Sequence, residues 1–239
     1  MVFILYKLLA FDLDHTLCDP DFPIDQDTLQ FLQETEASGM RIAIMSGRPA
    51  MYINGLGRQL GLKELIVSGE NGAYTYYHIS FPPNKIIHTT QSEENEAFAQ
   101  LRQLVQEKFG HHIWIQPNFT NFAVFPMNLD VRDELLNFVK DYYEHTINDP
   151  EYTFYIHPDN SFEIVPPGID KGIALNAIMK EEGITRDQVI AVGNSGNDLP
   201  MLRAAGVAIG IGLTEDTDYT FDHIQEAIPF IQKLLNNEA

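Results

Sequence analysis

The chain is short of cysteine and of positive charge, and each shortage narrows what it can be. Cys18 is its only cysteine, so no internal disulfide staples the fold and nothing in it calls for an oxidising compartment. Fifteen lysines and arginines stand against 34 aspartates and glutamates, a formal net charge of -19. Such a surface repels nucleic acid and anionic membranes, whose binding needs basic stripes. It repels an anionic small substrate at long range too, so a site for one must gather local positive charge or hold a cation. No run of roughly 18 apolar residues occurs, so no membrane-spanning helix is expected. The apolar opening Met1–Phe11 has neither a basic leading segment nor a small-residue cleavage site and runs straight into Asp12. It reads as a buried strand rather than an export signal. Internal repeats and low-complexity tracts are also lacking. These exclusions leave a cytoplasmic protein whose partner is a small molecule, with no signature of oligomeric state.

What is present is globular. At 239 residues, with 44% hydrophobic and 21% charged, the chain can bury one core domain and carry a smaller one. The run Val2–Phe11 predicts a strand buried on both faces of a parallel sheet. Asp25 caps a helix with Leu29 and Leu32 on its apolar face, stopped at Gly39. Arg41–Met45 and Leu65–Val67 are further buried strands, separated by a helix that begins at Pro49. The rhythm then changes. Hairpin-like strands flank Pro82-Pro83-Asn84, a helix covers Glu93–Phe109, and strands cover Ile113–Gln116 and Asn121–Phe125. A second helix spans Val131–His145, and strands Tyr152–Ile156 and Phe162–Val165 follow. From Lys171 the alternation resumes, with a helix to Glu182, a strand Val189–Val192, a short helix, a strand Val207–Ile209 and a final helix Phe221–Leu235. The pattern predicts a doubly wound α/β core with a parallel sheet, residues 1–74 and 166–239, interrupted by an inserted α+β module, 75–165. Pro166-Pro167-Gly168 is the hinge back into the core.

Four short motifs carry chemistry. Asp12-Leu13-Asp14-His15-Thr16 follows the first strand, where open α/β sheets bind ligands. Alternate residues of an extended stretch share a face, so Asp12 and Asp14 point the same way. Two carboxylates so close need a shared proton or a cation, and magnesium suits carboxylate and phosphate oxygens. One can attack phosphorus while the other handles the leaving-group proton. Ser46-Gly47-Arg48 ends another strand and offers donors to a phosphate oxygen; Arg48 either adds charge there or forms a structural ion pair. Lys171 opens a helix behind its cap Asp170 and can neutralise phosphate and nucleophile. Gly193-Asn194-Ser195-Gly196-Asn197-Asp198 follows the strand ending at Val192, with Asn194 and Asp198 as oxygen donors to a metal. Singly, these fit an acidic turn, an N-cap, a surface lysine and a Gly-Asn turn. Together they supply nucleophile, acid/base, hydroxyl donor, cation and metal ligands, the requirements of phosphoryl transfer. His111-His112 has no partner at metal-ligand spacing, and Cys18 reads as a small buried hydrophobe.

In this order the motifs resemble those of the haloacid dehalogenase superfamily. Asp12–Thr16 resembles its first motif, Ser46 its second, Lys171 its third and Gly193–Asp198 its fourth. An insert between Ser46 and Lys171 is similar to the branch with an α/β cap there, which includes Cof-type sugar-phosphate phosphatases, sucrose-phosphate phosphatases and archaeal phosphoglycolate phosphatases. Glu163–Gly172 resembles that branch's return to the core, and Glu70-Asn71-Gly72-Ala73 its exit. The resemblance implies a phosphatase for a small phosphate monoester, phosphoglycolate or a sugar phosphate. Asp12 would be the nucleophile and Asp14 the acid/base. Ser46 and Lys171 would hold the phosphoryl group, with Gly47, Arg48 and Asn197 on the substrate. Magnesium would sit on Asp12, the Asp14 carbonyl and the fourth motif, Asn194 or Asp198. A phosphomutase or phosphotransferase would use the same residues, and a non-catalytic binding protein the same fold. One position departs from the family: the fourth motif usually begins Gly-Asp, and here Asn194 replaces that acid, so weaker metal binding is expected.

Overall fold

The structure, a computed structural model, describes residues 5–80, 82–88, 96–157 and 159–237. Along the chain run β1 (Leu8–Phe11), α1 (Gln26–Ala37), β2 (Arg41–Met45), α2 (Ala50–Leu60), β3 (Ile66–Gly69), β4 (Tyr74–Tyr77) and β5 (Lys85–His88). Then come α3 (Glu96–Phe109), β6 (Ile113–Ile115), β7 (Phe122–Pro126), α4 (Arg132–Tyr142), β8 (Thr153–Ile156) and β9 (Phe162–Val165). The chain closes with α5 (Lys171–Glu182), β10 (Val189–Gly193), α6 (Leu199–Ala204), β11 (Val207–Ile211), β12 (Tyr219–Phe221) and α7 (Ile224–Leu235). It divides into two compact units, Met1–Thr89 with Asp170–Ala239, and Thr90–Ile169.

In the first unit eight strands form one sheet in the order β12-β11-β10-β1-β2-β3-β4-β5. All neighbours from β12 to β3 are parallel, while β4 and β5 pair antiparallel at the far edge. β1 lies between β2 and β10, and its four residues are fully buried. That is why its sequence is apolar throughout rather than alternating. Successive side chains still go to opposite faces. Leu9 and Phe11 pack with Ile42, Ile44, Ile190 and Val192 against α1, α2 and α7, while Leu8 and Ala10 pack with Ala43, Met45 and Val189 against α5 and α6. Helices thus cover both faces. The strand order reverses at β1, with β2 and β3 to one side and β10 and β11 to the other, and such a switch point opens a crevice at the carboxyl ends of the strands. Asp25 caps α1 by accepting from the Asp27 and Thr28 amides, and Gly39 just beyond it has φ 91.

The second unit is a four-stranded antiparallel sheet, β6-β7-β9-β8. Phe98, Leu101 and Val105 of α3 and Leu135, Val139 and Tyr142 of α4 pack with Phe122, Val124, Phe162 and Ile164 of the sheet. Arg102 gathers the loop after β6 by donating to the carbonyls of Gln116, Asn118 and Asn121. Among the described residues, no helix is long and apolar enough to cross a membrane.

Several boundaries differ from the sequence reading. The inserted module, read as 75–165, falls at Thr90–Ile169, because the hairpin around Pro82-Pro83-Asn84 adds β4 and β5 to the core sheet. β1 starts at Leu8, and Val2–Ile4 lie outside the described residues, as do Glu93–Asn95 of the helix read from Glu93. The helix read to His145 ends at Tyr142 and continues as a wider π-type turn over Tyr143–Ile147. Phe221 belongs to β12, an edge strand the sequence reading lacks, and α7 begins at Ile224.

Gly69, at the carboxyl end of β3, lets the start of α2 approach: a Cβ there would land on the Ala50 backbone nitrogen. Gly69→Ala is therefore expected to cost about 1–3 kcal/mol through overpacking, read as a lower midpoint in urea unfolding.

Candidate active site

Asp12 is the first residue beyond β1. Its amide donates to the Val192 carbonyl at 2.9 Å, extending the β1–β10 ladder by one step and fixing the backbone from which the carboxylate projects. The chain then wraps around the Leu13 carbonyl, which accepts from the Leu17 amide at 2.9 Å and, at longer range, from those of Thr16 and Cys18. His15 takes a left-handed φ of 62 in this loop. The Asp14 carboxylate is gripped by Arg48, with Nε and a terminal nitrogen each 2.7 Å from a separate oxygen. The guanidinium also lies 4.9 Å from the centre of the Tyr52 ring. Arg48 is thus an ion-pair partner of Asp14, and the two-pronged geometry fixes the carboxylate plane in a way a lysine would not. Cys18 is half-buried beside this loop, and burial, with the Asp14 charge, pushes its thiol up to about 11.

Lys171 occupies the first turn of α5, behind Asp170, whose side chain accepts from the Ile173 amide at 2.7 Å. It is fully buried, and its Nζ donates to Asp12 Oδ1 at 2.6 Å and to Asp198 Oδ1 at 2.5 Å. Burial disfavours its charge, but the two carboxylates more than offset that and raise its pKa. Asp12 is pushed up to about 7, by burial first and the Asp198 charge second, with Lys171 pulling the other way. Two buried carboxylates on one ammonium leave negative charge over, so this centre favours a proton or a further cation.

A cation position follows from the oxygens nearby. One end of the Asn194 amide lies 3.1 Å from Asp12 Oδ2, 3.2 Å from the Asp14 carbonyl oxygen and 3.2 Å from Thr16 Oγ1. Carboxylate, carbonyl and amide oxygens are the hard donors magnesium takes, and neighbouring ligand oxygens of an octahedral ion are about 3.0 Å apart. The residues present therefore fit a magnesium ion held by Asp12, the Asp14 carbonyl and Asn194. Among the described residues no three His, Cys, Asp or Glu side chains form a metal cluster. Asp198, read as a metal ligand, has its Oδ1 on Lys171, and its Oδ2 accepts from the Asn194 and Ser195 amides at 2.9 and 3.0 Å.

Ser46 is buried at the end of β2. Its hydroxyl oxygen accepts from the Arg48 amide at 3.1 Å, which leaves its proton for another acceptor. Gly47 stands beside the Asn71 amide. Asn197, read as a substrate contact, has its nitrogen on Asn71 Oδ1 at 3.2 Å and its oxygen on the Ser195 hydroxyl at 2.6 Å; it joins two loops. Glu70 and Asn71 are positioning residues that no site assignment from sequence included. Both have left-handed φ, 52 and 54, and their amides donate to the Arg48 and Ser46 carbonyls at 2.9 and 3.0 Å, clamping the Ser46-Gly47-Arg48 turn. The legible signal was Asn71-Gly72, a dipeptide suited to left-handed turns.

An acid pair, a buried lysine and an oxygen-lined cation position thus meet at the carboxyl ends of the strands of a doubly wound sheet, the setting of a hydrolase site. The chain belongs to the haloacid dehalogenase-like hydrolases, whose family model matches residues 9–124 and 116–217, and its relatives there are phosphatases. A phosphoglycolate phosphatase of Methanoculleus marisnigri is 28% identical over 209 residues, covering 87% of this chain and 84% of that one. The 5-amino-6-(5-phospho-D-ribitylamino)uracil phosphatase YcsE of Bacillus subtilis is 24% identical over 237 residues, covering 92% and 90%. In fold, a haloacid dehalogenase-like hydrolase from Bacteroides thetaiotaomicron matches with a TM-score of 0.75 at 21% identity, covering 95% of this chain and 99% of that one.

Lys171→Met removes the ammonium that Asp12 and Asp198 share. Breaking a buried pair in this way is expected to cost about 3–5 kcal/mol, measured as the loss of unfolding free energy in urea.

Proposed function

We propose that the chain is a magnesium-dependent phosphatase that hydrolyses a small phosphate monoester through a phosphoryl group carried on Asp12. The observation that carries this reading is the double engagement of Asp12: Oδ1 is held by Lys171 at 2.6 Å, and Oδ2 faces the Asn194 amide at 3.1 Å beside the Asp14 carbonyl. A carboxylate so fixed has lost the freedom that would make it a poor nucleophile, and positive charge beside it offsets the repulsion of an incoming phosphate. Magnesium, when bound, supplies Lewis-acid neutralisation of the phosphoryl oxygens.

The remaining steps belong to the chain's own groups. An Asp12 oxygen attacks phosphorus, the bond from phosphorus to the ester oxygen breaks, and Asp14 delivers a proton to the departing alcohol. Asp14 then takes a proton from water as the water oxygen attacks phosphorus, and the Asp12–phosphorus bond breaks to restore the carboxylate and free phosphate. One Asp14 oxygen leaves the Arg48 fork to carry the proton, while the other stays on the guanidinium and keeps the side chain oriented for both transfers. Ser46 directs its hydroxyl proton at a phosphoryl oxygen, and Lys171 neutralises charge throughout. For the substrate, the relatives point to small esters. The Methanoculleus protein is named for phosphoglycolate and YcsE for a ribityl phosphate, so a phosphoglycolate or sugar-phosphate class of metabolite is the reading we adopt.

The test is phosphate release from phosphoglycolate and from pentose, hexose and disaccharide phosphates, with and without magnesium. Release needs magnesium and no acceptor alcohol, Asp12→Asn abolishes it, and Asp14→Asn lowers kcat by about 10²–10⁴. Transfer to an added sugar without net phosphate release would make the chain a phosphotransferase, and release that survives Asp12→Asn would end the aspartyl-phosphate mechanism.

A further inference from the structure

Asn194 sits where the chain's own residues bear on the cation position, and a neutral amide does there what a carboxylate does not. The group it faces is unusual. Asp12 Oδ2 at 3.1 Å, in its ionised form, and the Asp14 carbonyl oxygen at 3.2 Å only accept hydrogen bonds, and Thr16 Oγ1 at 3.2 Å can serve as an acceptor as well. An amide has two unlike ends. With its nitrogen turned in, its protons satisfy these oxygens and the cluster closes on itself. With its oxygen turned in and Asp12 ionised, only Thr16 Oγ1 can donate to it, while the carboxylate and carbonyl oxygens face it at little more than contact distance, an arrangement that a cation among them stabilises. Both orientations occupy the same space, and a rotation about the Cγ bond interconverts them.

We infer that Asn194 is a two-position latch on the divalent-cation position: its amide nitrogen closes the position in the absence of metal, and a cation is held only after the amide has turned over. The inference rests on the reading of the Asp12 site as one that uses magnesium, and it deepens that reading by assigning how this chain admits the ion. The backbone around the latch is anchored independently of it. The Asn194 amide N–H donates to Asp198 Oδ2 at 2.9 Å, and Asp198 is itself fixed on Lys171, so the side chain turns on a rigid mount. Charge gives the same result. Asp12 already shares Lys171 with Asp198, and a carboxylate at 194 would add a third negative side chain that only a metal relieves. The amide therefore makes the centre self-sufficient without metal and weakens its hold on the ion, because hydrogen bonds are surrendered on binding.

The experiment uses magnesium alone, with no substrate, on the wild type, Asn194→Asp and Asn194→Ala. The wild-type melting temperature in chelator exceeds that of both variants by about 2–4 °C, the size of shift a lost buried contact gives in a chain of this length. Added magnesium raises the Asn194→Asp temperature well beyond the wild-type response. Calorimetric titration gives a magnesium dissociation constant lower in Asn194→Asp by on the order of tenfold or more. The Asn194 side-chain NH₂ resonances, assigned by their absence in the variants, shift on magnesium addition and saturate with the calorimetric constant. Equal melting temperatures in chelator for wild type and Asn194→Ala overturn the latch. So do equal magnesium affinities in wild type and Asn194→Asp, binding to neither, or NH₂ resonances that ignore bound magnesium. No substrate enters these measurements, so a failure to release phosphate bears on the proposed activity alone.

Discussion

The buried ammonium of Lys171 is the interaction on which the rest of the structure depends. It binds two carboxylates that are 159 and 27 residues away in sequence, and it does so with no exposure to solvent. Such a centre survives only when every partner is in place, since one missing member leaves a charge buried and unpaired. The helix α5 must start at Lys171, which Asp170 ensures by capping it. The loop after β10 must bring Asp198 back under Gly193, where any side chain larger than hydrogen would strike the Asp198 carboxyl group. Two segments that the second unit separates in sequence are thereby committed to one another at a single atom.

That commitment also answers the problem set by a net charge of -19. A strongly acidic chain that handles phosphate must place its few cations where they count. Lys171 stands on Asp12, and Arg48 on Asp14. Each acid of the first motif has its own basic partner, drawn from a different motif. The pairings differ in kind. Lysine offers a compact charge that two carboxylates can share, while the arginine fork fixes the plane of one.

Where apolar pattern dictated structure, the sequence was legible nearly to the residue. Arg41–Met45, Phe162–Val165 and Lys171–Glu182 are read and observed alike, because continuous burial or a clear cap leaves few alternatives. The strand Tyr219–Phe221 was hidden, since three residues at an exposed sheet edge carry no pattern to separate them from the helix that follows. The edge pair β4 and β5 was seen as a hairpin but assigned to the wrong body, as pairing to β3 depends on a partner that local sequence does not name. In the site, Asp12, Asp14, Ser46 and Lys171 were legible from position relative to strands and helices. The contact of Asp198 with Lys171 was not, because a carboxylate reads the same whether it faces a metal or a lysine. Asn71 escaped for a related reason: it acts through backbone conformation and one amide contact, and neither leaves a chemical signature.

The geometry of the site is inherited from sheet register more than from its loops. Phe11 lies level with Ile44 on one side and Val192 on the other. One step on, Asp12, Met45 and Gly193 are therefore level, and the next residues of the flanking strands are Ser46 and Asn194. The Asp12 carboxylate, the Ser46 hydroxyl and the Asn194 amide are thus set by three parallel strands whose side chains below them are buried on both faces. A loop would have to hold such positions against thermal motion by its own contacts; here the ladder hydrogen bonds and two hydrophobic layers hold them. Every site residue named above lies in Asp12–Asn71 or Asp170–Asp198, and none in Thr90–Ile169. The register that aligns Asp12 with its neighbours is thus a property of the first unit's own sheet.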